Sequence, residues 1–248
     1  MRVPGFIVIG GGEAGAVYVR QLLRAVAAGK LETDRIVVVD RDPGCAVARL
    51  QDERVRLKVA DWSEWLDARL DEADPADHLV PYHWAPHLLL TWMEGQAARR
   101  GARTARLPAP PRDLPFEATT QTGDRALSYA AWVCPPTCIE PALCPHTRGP
   151  KDWSLVGDLE KPRKEDAVDD RMVFRCLHLV YGVGTIPVAG ILAARDLMLE
   201  GLRGGTRRYL VATSSHCHAL GTVLEVVPAV GAGGRLSTAR RGGTPAAP

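Results

Sequence analysis

The hydrophobic pattern opens with a short unbroken apolar run, Phe6–Ile9, of the kind a buried strand presents. A glycine loop follows. Apolar residues then recur at helical spacing from Glu13 to Ala28, where Ala16, Val17, Val19, Leu22, Leu23 and Val26 form a broad face and Gly29 stands at the expected stop. Arg35–Asp40 is β-branched and apolar until its last residue, as strands are in a parallel sheet covered on both faces. Val55–Val59 predicts a third strand and Ser63 to Leu70 a short helix. Asp77–Tyr82 reads as a fourth strand, held to an edge or a strand end by Pro81. Pro86 suits the first turn of a helix reaching Ala98, with Leu88, Leu89, Leu90, Trp92 and Met93 inside.

The second half is less regular. Residues 102–128 are rich in Pro, Arg, Thr and Gly and predict an irregular excursion, residues 130–151 a Cys/Pro-rich insertion, and Gly157 to Arg171 a charged, solvated loop. Val173–Val180 predicts a strand that ends in a glycine turn at Gly182 and Gly184. Thr185 is then an N-cap and Pro187 a first-turn residue for a helix from Ile186 to Leu202. Arg208–Ala212 is a further strand, and the Gly/Ala/Arg/Pro-rich end from Val230 predicts a disordered tail. The sum is one α/β domain over residues 1–229 built on a mainly parallel sheet.

Composition narrows the partners. Among 248 residues, 31 basic and 29 acidic side chains leave a net charge of +2, so nothing draws the chain to nucleic acid. No apolar run reaches the roughly 20 residues of a membrane helix. The apolar part of the N-terminus is too short for a signal peptide. These features predict a cytoplasmic protein with neither nucleic acid nor membrane as partner. Its six cysteines are then thiols, metal ligands or redox groups rather than disulfides.

The loop Ile9-Gly10-Gly11-Gly12-Glu13-Ala14-Gly15 carries G-x-G-x-x-G at Gly10, Gly12 and Gly15. It follows a strand, opens a helix, and precedes a second strand ending in Asp40. In this context the first 42 residues resemble the dinucleotide-binding Rossmann superfamily. The resemblance implies a doubly wound fold in which Gly10 makes the turn, Gly12 admits a pyrophosphate and Gly15 lets helix and strand approach. The backbone of Gly10, Gly11, Gly12, Glu13, Ala14 and Gly15 would cradle the phosphates at a helix N-terminus, although the Glu13 charge opposes them. Asp40 would accept hydrogen bonds from the adenosine ribose, favouring NAD or FAD, while Arg41 beside it leaves NADP open. A loop kept only for helix packing is the bland alternative.

The most unusual stretch is Trp132 to His146, where Cys134, Cys138, Cys144 and His146 follow the spacing C-x3-C-x5-C-x-H. Prolines stiffen it, so the thiols lose little entropy on ligating zinc or an iron–sulfur cluster. His216, Cys217 or His218 could add a ligand, and His216 and His218 are also candidates for acid and base at the cofactor. If that segment is extended, His216 and His218 share a face and Cys217 points away. A proline-rich loop with inert cysteines competes with the metal reading. Cys45 and Cys176 read as structural. His83 and His87 are four apart, but Pro86 interrupts them, and the six tryptophans read as core or interface residues.

These features favour an NAD(P)- or FAD-linked oxidoreductase of undetermined substrate. A second reading is an NAD-sensing module without catalysis. A third is a thiol-metal or redox-sensing protein on the same core. The chain is short for a two-domain dehydrogenase, so insertions or a second subunit in a homo-oligomer would complete a substrate site.

Overall fold

The computed structural model describes residues 1–81, 87–132, 134–135 and 138–229. His83, Trp84, Pro86 and the tail from Val230 lie outside the described residues. The strands are β1 (Gly5–Ile9), β2 (Arg35–Asp40), β3 (Val55–Val59), β4 (His78–Val80), β5 (Arg103–Leu107), β6 (Phe116–Thr119), β7 (Arg125–Ser128), β8 (Asp170–Arg175), β9 (Leu177–His178), β10 (Gly184–Pro187), β11 (Arg207–Ser214) and β12 (His218–Val227). The helices are α1 (Glu13–Ala27), α2 (Trp62–Arg69), α3 (Leu88–Arg99), α4 (Leu155–Glu160) and α5 (Val188–Gly201).

The strands form two mixed sheets rather than the single, mainly parallel sheet the sequence pattern predicts. The first runs β3-β2-β1-β4-β10-β9; β3, β2, β1 and β4 are parallel, while β10 and β9 are added antiparallel. The second runs β6-β7-β12-β11-β8, with β5 also on β12, and only β11 and β8 pair in parallel.

Period-two alternation explains how the sheets stack. Phe6 and Val8 face α1 together with Val19 and Leu22, whereas Ile7 and Ile9 face the opposite way. The latter join Leu89, Met93, Ile191 and Met198 of α3 and α5, and the same cluster takes Phe174, Tyr209, Val211 and Leu224 from the second sheet. The two sheets thus share one apolar layer through α3 and α5. The outer face of the second sheet is closed by Leu155 and Leu159 of α4.

Several expected elements are corrected. The 102–128 excursion contains β5, β6 and β7, whose short polar strands are buried only by pairing with β12 and β7. The charged 157–171 loop begins inside α4 and ends inside β8. Val173–Val180 is broken at Cys176, where the chain leaves one sheet for the other, and the amide of Cys176 donates to the Ser214 carbonyl (2.8 Å). Thr185 is no N-cap: it lies in β10, and its buried hydroxyl meets His78 Nδ1 (2.8 Å), so the helix starts only at Val188. The strand expected at Arg208–Ala212 spans Arg207–Ser214.

His87 caps α3, its Nδ1 accepting the Leu90 N–H at 3.0 Å. Burial holds this imidazole down to about 4, against the pull of the Asp124 carboxylate. The unfolded chain protonates there below about pH 6.5, but the folded chain does so only near pH 4, so stability is full above that window and falls as pH drops through it. The expected loss between pH 7.5 and 5 is about 2 kcal/mol. Urea unfolding at both pH values measures it, and His87→Asn, which caps without titrating, should flatten the dependence. The same slope in both proteins would remove His87 as its source.

Candidate functional site

The glycine loop leaves β1 at the carboxyl edge of the parallel strands. Gly10 has φ +91°, a left-handed conformation that side chains avoid. A Cβ on Gly15 would sit 1.9 Å from the Gly10 carbonyl oxygen, so α1 approaches the turn as closely as glycine allows. At Gly12 nothing lies within 4 Å of an added Cβ. Gly12, Glu13 and Ala14 are exposed at the crest. No side chain caps the helix, so its first-turn amides retain their donor capacity.

Asp40 ends β2 beside this loop. Its Oδ2 accepts the Gly11 N–H (2.6 Å) and its Oδ1 the Asp42 N–H (2.9 Å). The Val47 amide donates to the Gly11 carbonyl (2.9 Å), and Cys45 is buried against Gly11. Arg41 pairs with Asp61, the N-cap of α2, whose carboxyl is held low first by the Glu64 N–H and also by Arg41. Two open grooves lie away from the loop: one against Arg2, Val26 and Arg54, the other, about 740 Å³, against Tyr129, Lys151, Trp153 and Asp158.

The Cys/Pro insertion packs where the second sheet passes into the first. The Tyr129 amide donates to the Cys217 carbonyl (3.0 Å), and the His216 amide to Glu140 Oε1 (2.8 Å). His178 Nδ1 bonds the Cys138 carbonyl. Residues 215–217 form the tight turn between β11 and β12, not an extended segment, because Ser214 and Ala219 are paired and the Ser215 amide donates to the His218 carbonyl (2.8 Å). This turn belongs to the second sheet, whose β11–β12 pair is antiparallel.

All six cysteines are free. Burial pushes the thiols of Cys134 and Cys217 up, and that of Cys176 up to about 12, so each stays a neutral thiol near pH 7. Cys217 Sγ accepts the Trp153 indole N–H at 3.3 Å. Cys144 differs: the amides of Thr147 and His146 point to its sulfur and hold the thiol below its ordinary range. His146 is exposed and stacks on Trp132 at 4.4 Å. Among the described residues, no three His, Cys, Asp or Glu side chains stand close enough as placed to grip an ion.

Near His218 the structure brings Glu140 and His178, which the sequence pattern does not single out. His178 Nε2 lies 4.0 Å from Glu140 Oε1. Burial lowers the His218 imidazole, with Glu140 opposing and His178 assisting, so the three groups are neighbours. Glu140 adopts φ +48°, a conformation costly for a non-glycine residue. No spacing signal links positions 140, 178 and 218; only the sheet crossover brings them together. Because Ile186 pairs with Leu79, and Gly184 with His178, His178 lies at the same edge as the glycine loop.

No helix among the described residues is long and apolar enough to cross a membrane. Neither a curated protein nor a solved structure matches the chain. Residues 82–227, more than half of the 248, match a family described as an uncharacterized protein's C-terminal domain. That segment supplies β9 and β10 to the first sheet, so it is structurally continuous with the glycine-loop unit before it. The chain belongs, through residues 82–227, to the AF_1314_C family.

Proposed function

We propose that the protein binds an adenine dinucleotide on the Gly10–Gly15 loop and serves as an oxidoreductase, its first sheet being the Rossmann-like half of the fold. The observation that carries this reading is the contrast within one loop. Gly10 and Gly15 are fixed by backbone geometry, while Gly12 faces open space at an uncapped helix N-terminus. Packing alone accounts for Gly10 and Gly15. It gives no reason for a bare Gly12, whereas a pyrophosphate approaching the amides does.

The strand order β3-β2-β1-β4 reverses direction between β1 and β4, the kind of crevice a dinucleotide crosses. Asp40 retains lone pairs for a ribose after bonding Gly11 and Asp42. Arg41 turns to Asp61 rather than toward a 2′-phosphate, which favours NAD(H) or FAD over NADP(H). A dinucleotide held at β1 could extend across β4 and β10 toward His178, which lies three strand spacings, about 14 Å, from β1. The acid–base candidates His216 and His218 belong to the turn near His178: the His216 amide bonds Glu140, and His218 feels the His178 charge.

Titration with NADH followed by fluorescence, together with an absorption spectrum for flavin, tests the reading. Gly12→Val should keep the fold, because its Cβ meets nothing, and should weaken dinucleotide binding at least about tenfold. Equal affinity in the two proteins would sink the cradle assignment. Binding without turnover of any reducible substrate would favour a sensor.

A further inference from the structure

We propose that His178 is the acid–base residue of the candidate oxidoreductase, taking the hydroxyl proton of an uncharged secondary alcohol as that alcohol is oxidised. This deepens the dinucleotide reading and rests on it.

Val8 of β1 pairs with Val80 of β4, Leu79 of β4 with Ile186 of β10, and Gly184 of β10 with His178 of β9. Along these registers His178 stands one rung beyond the Val8–Val80 pair, level with Ile9, from which the glycine loop departs. It thus lies on the carboxyl edge of the parallel strands, where open α/β sheets take their ligands.

Two contacts fix the orientation of the ring. A carbonyl can only accept, so the bond between His178 Nδ1 and the Cys138 carbonyl places a proton on Nδ1. In the neutral ring the lone pair is then on Nε2. On another side the ring rests against Gly184, where an added Cβ would come within 3.2 Å of Nε2 and 3.3 Å of Cδ2. A larger residue at that position would displace the imidazole. Among the described residues Nε2 makes no hydrogen bond, since Glu140 Oε1 at 4.0 Å is too distant. A ring held through Nδ1–H by an oxygen acceptor, with Nε2 unengaged, is the arrangement of a general base. The His178 side chain also keeps 13% of its surface exposed, whereas the Nε2 atoms of His216 and His218 are buried. Of the three imidazoles, His178 is the readiest for an incoming hydroxyl.

The surroundings narrow the substrate. Glu140 Oε1 is anchored by the His216 amide at 2.8 Å, and its backbone is held at φ +48° at a cost. The carboxylate would stabilise the imidazolium as it forms and would repel an anionic substrate. Cys176 Sγ lies 2.6 Å from the same Cβ position on Gly184 and, as a neutral thiol, adds no charge. An uncharged alcohol suits this corner better than a hydroxy acid. In the reaction the alcohol O–H bond breaks and its proton goes to His178 Nε2. The carbinol C–H bond breaks, its hydrogen leaves with the electron pair for the oxidised nicotinamide, and the carbon–oxygen double bond forms. The alcohol thereby loses the two electrons that the nicotinamide gains.

Imidazole nitrogen NMR of the isotope-labelled full-length protein, titrated with NAD⁺ and separately with ADP-ribose, tests the assignment. The ring signals missing from His178→Gln identify the residue. In its neutral form His178 should show the Nδ1–H tautomer. NAD⁺ should shift its Nε2 signal, and ADP-ribose, which lacks the nicotinamide, should leave it in place. With a panel of uncharged secondary alcohols, His178→Gln should lower NAD⁺ reduction at least about 100-fold while NADH still binds. An Nε2–H tautomer, or NAD⁺ binding that leaves the His178 ring unmoved, overturns the proposal and leaves the dinucleotide reading standing. So does undiminished turnover in His178→Gln, or failure of the unmutated protein to oxidise any alcohol of the panel. Absence of NAD⁺ binding would instead overturn the dinucleotide reading, and this proposal with it.

Discussion

Replacing Asp166 with alanine is expected to destabilise the fold by about 3–5 kcal/mol. Its side chain is fully buried, and its Oδ2 accepts from Arg112 (2.9 Å) and Arg171 (2.7 Å). Arg112 is itself only 4% exposed and makes one further bond, to the Asp158 carbonyl at 3.3 Å. Burial first, and the neighbouring Arg163 and Arg171 charges after it, push its guanidinium below the ordinary range, while the Asp166 carboxylate opposes them. Removing the carboxylate leaves the nearly buried Arg112 cation without its ion-pair partner and unpairs the partly buried Arg171 beside it. The damage would fall between the 108–115 segment and the start of β8, which this cluster ties together. Asp166→Asn retains an acceptor without the charge and should fall between the two. Urea unfolding measures all three proteins. A loss under about 1 kcal/mol for the alanine variant would mean that solvent replaces the carboxylate.

Gly15→Ala is expected to cost on the order of 3 kcal/mol and to abolish dinucleotide binding as well. The new Cβ would lie 1.9 Å from the Gly10 oxygen and 2.9 Å from the Gly10 carbonyl carbon, both backbone atoms that cannot rotate aside. A carbon–oxygen contact needs about 3.3 Å, so α1 must retreat from β1 by more than an ångström. That movement would open the apolar layer of Phe6, Val8, Val19 and Leu22. It would also displace the first-turn amides of the proposed cradle. The contrast with Gly12→Val is diagnostic, because a Cβ there meets no neighbour and would act only on the proposed approach of phosphate. Thermal melts and NADH titrations of the two variants separate the roles. A fully stable Gly15→Ala would show that helix and strand are not in close contact.

The legible part of the fold is its first unit. Phe6–Ile9, the helix after it and Arg35–Asp40 carry their own burial in their sequence, because parallel strands covered on both faces must be continuously apolar. The loop between them declares its glycines at fixed offsets, and the observed φ at Gly10 and the contact at Gly15 give two of them physical reasons. The second sheet was much harder to read. Arg103–Leu107, Phe116–Thr119 and Arg125–Ser128 are short and polar, and they become strands because β12 offers its edges to β5 and β7. Thr185 departs from its expected N-cap role for a related reason: a Thr two residues before a Pro has the pattern of a helix start, but His78 on a neighbouring strand engages its hydroxyl.

The cysteine-rich loop divides in the same way. Its composition marked the region as chemically unusual, and the nearby turn at His216–His218 was singled out with it. Which groups meet was not encoded locally. His146 stacks on Trp132, while Glu140, His178 and His218 converge from three separate segments.

By itself the sequence determined the glycine loop, the strand–helix–strand unit around it and the charge balance, since these depend on local φ/ψ demands and short-range apolar periodicity. Only the tertiary structure decided that there are two mixed sheets, that the chain crosses between them at Cys176, and that Glu140, His178 and His218 are neighbours. The physical reason is that antiparallel pairing and side-chain convergence are long-range. They are fixed by partner strands and shared burial rather than by the residues on either side.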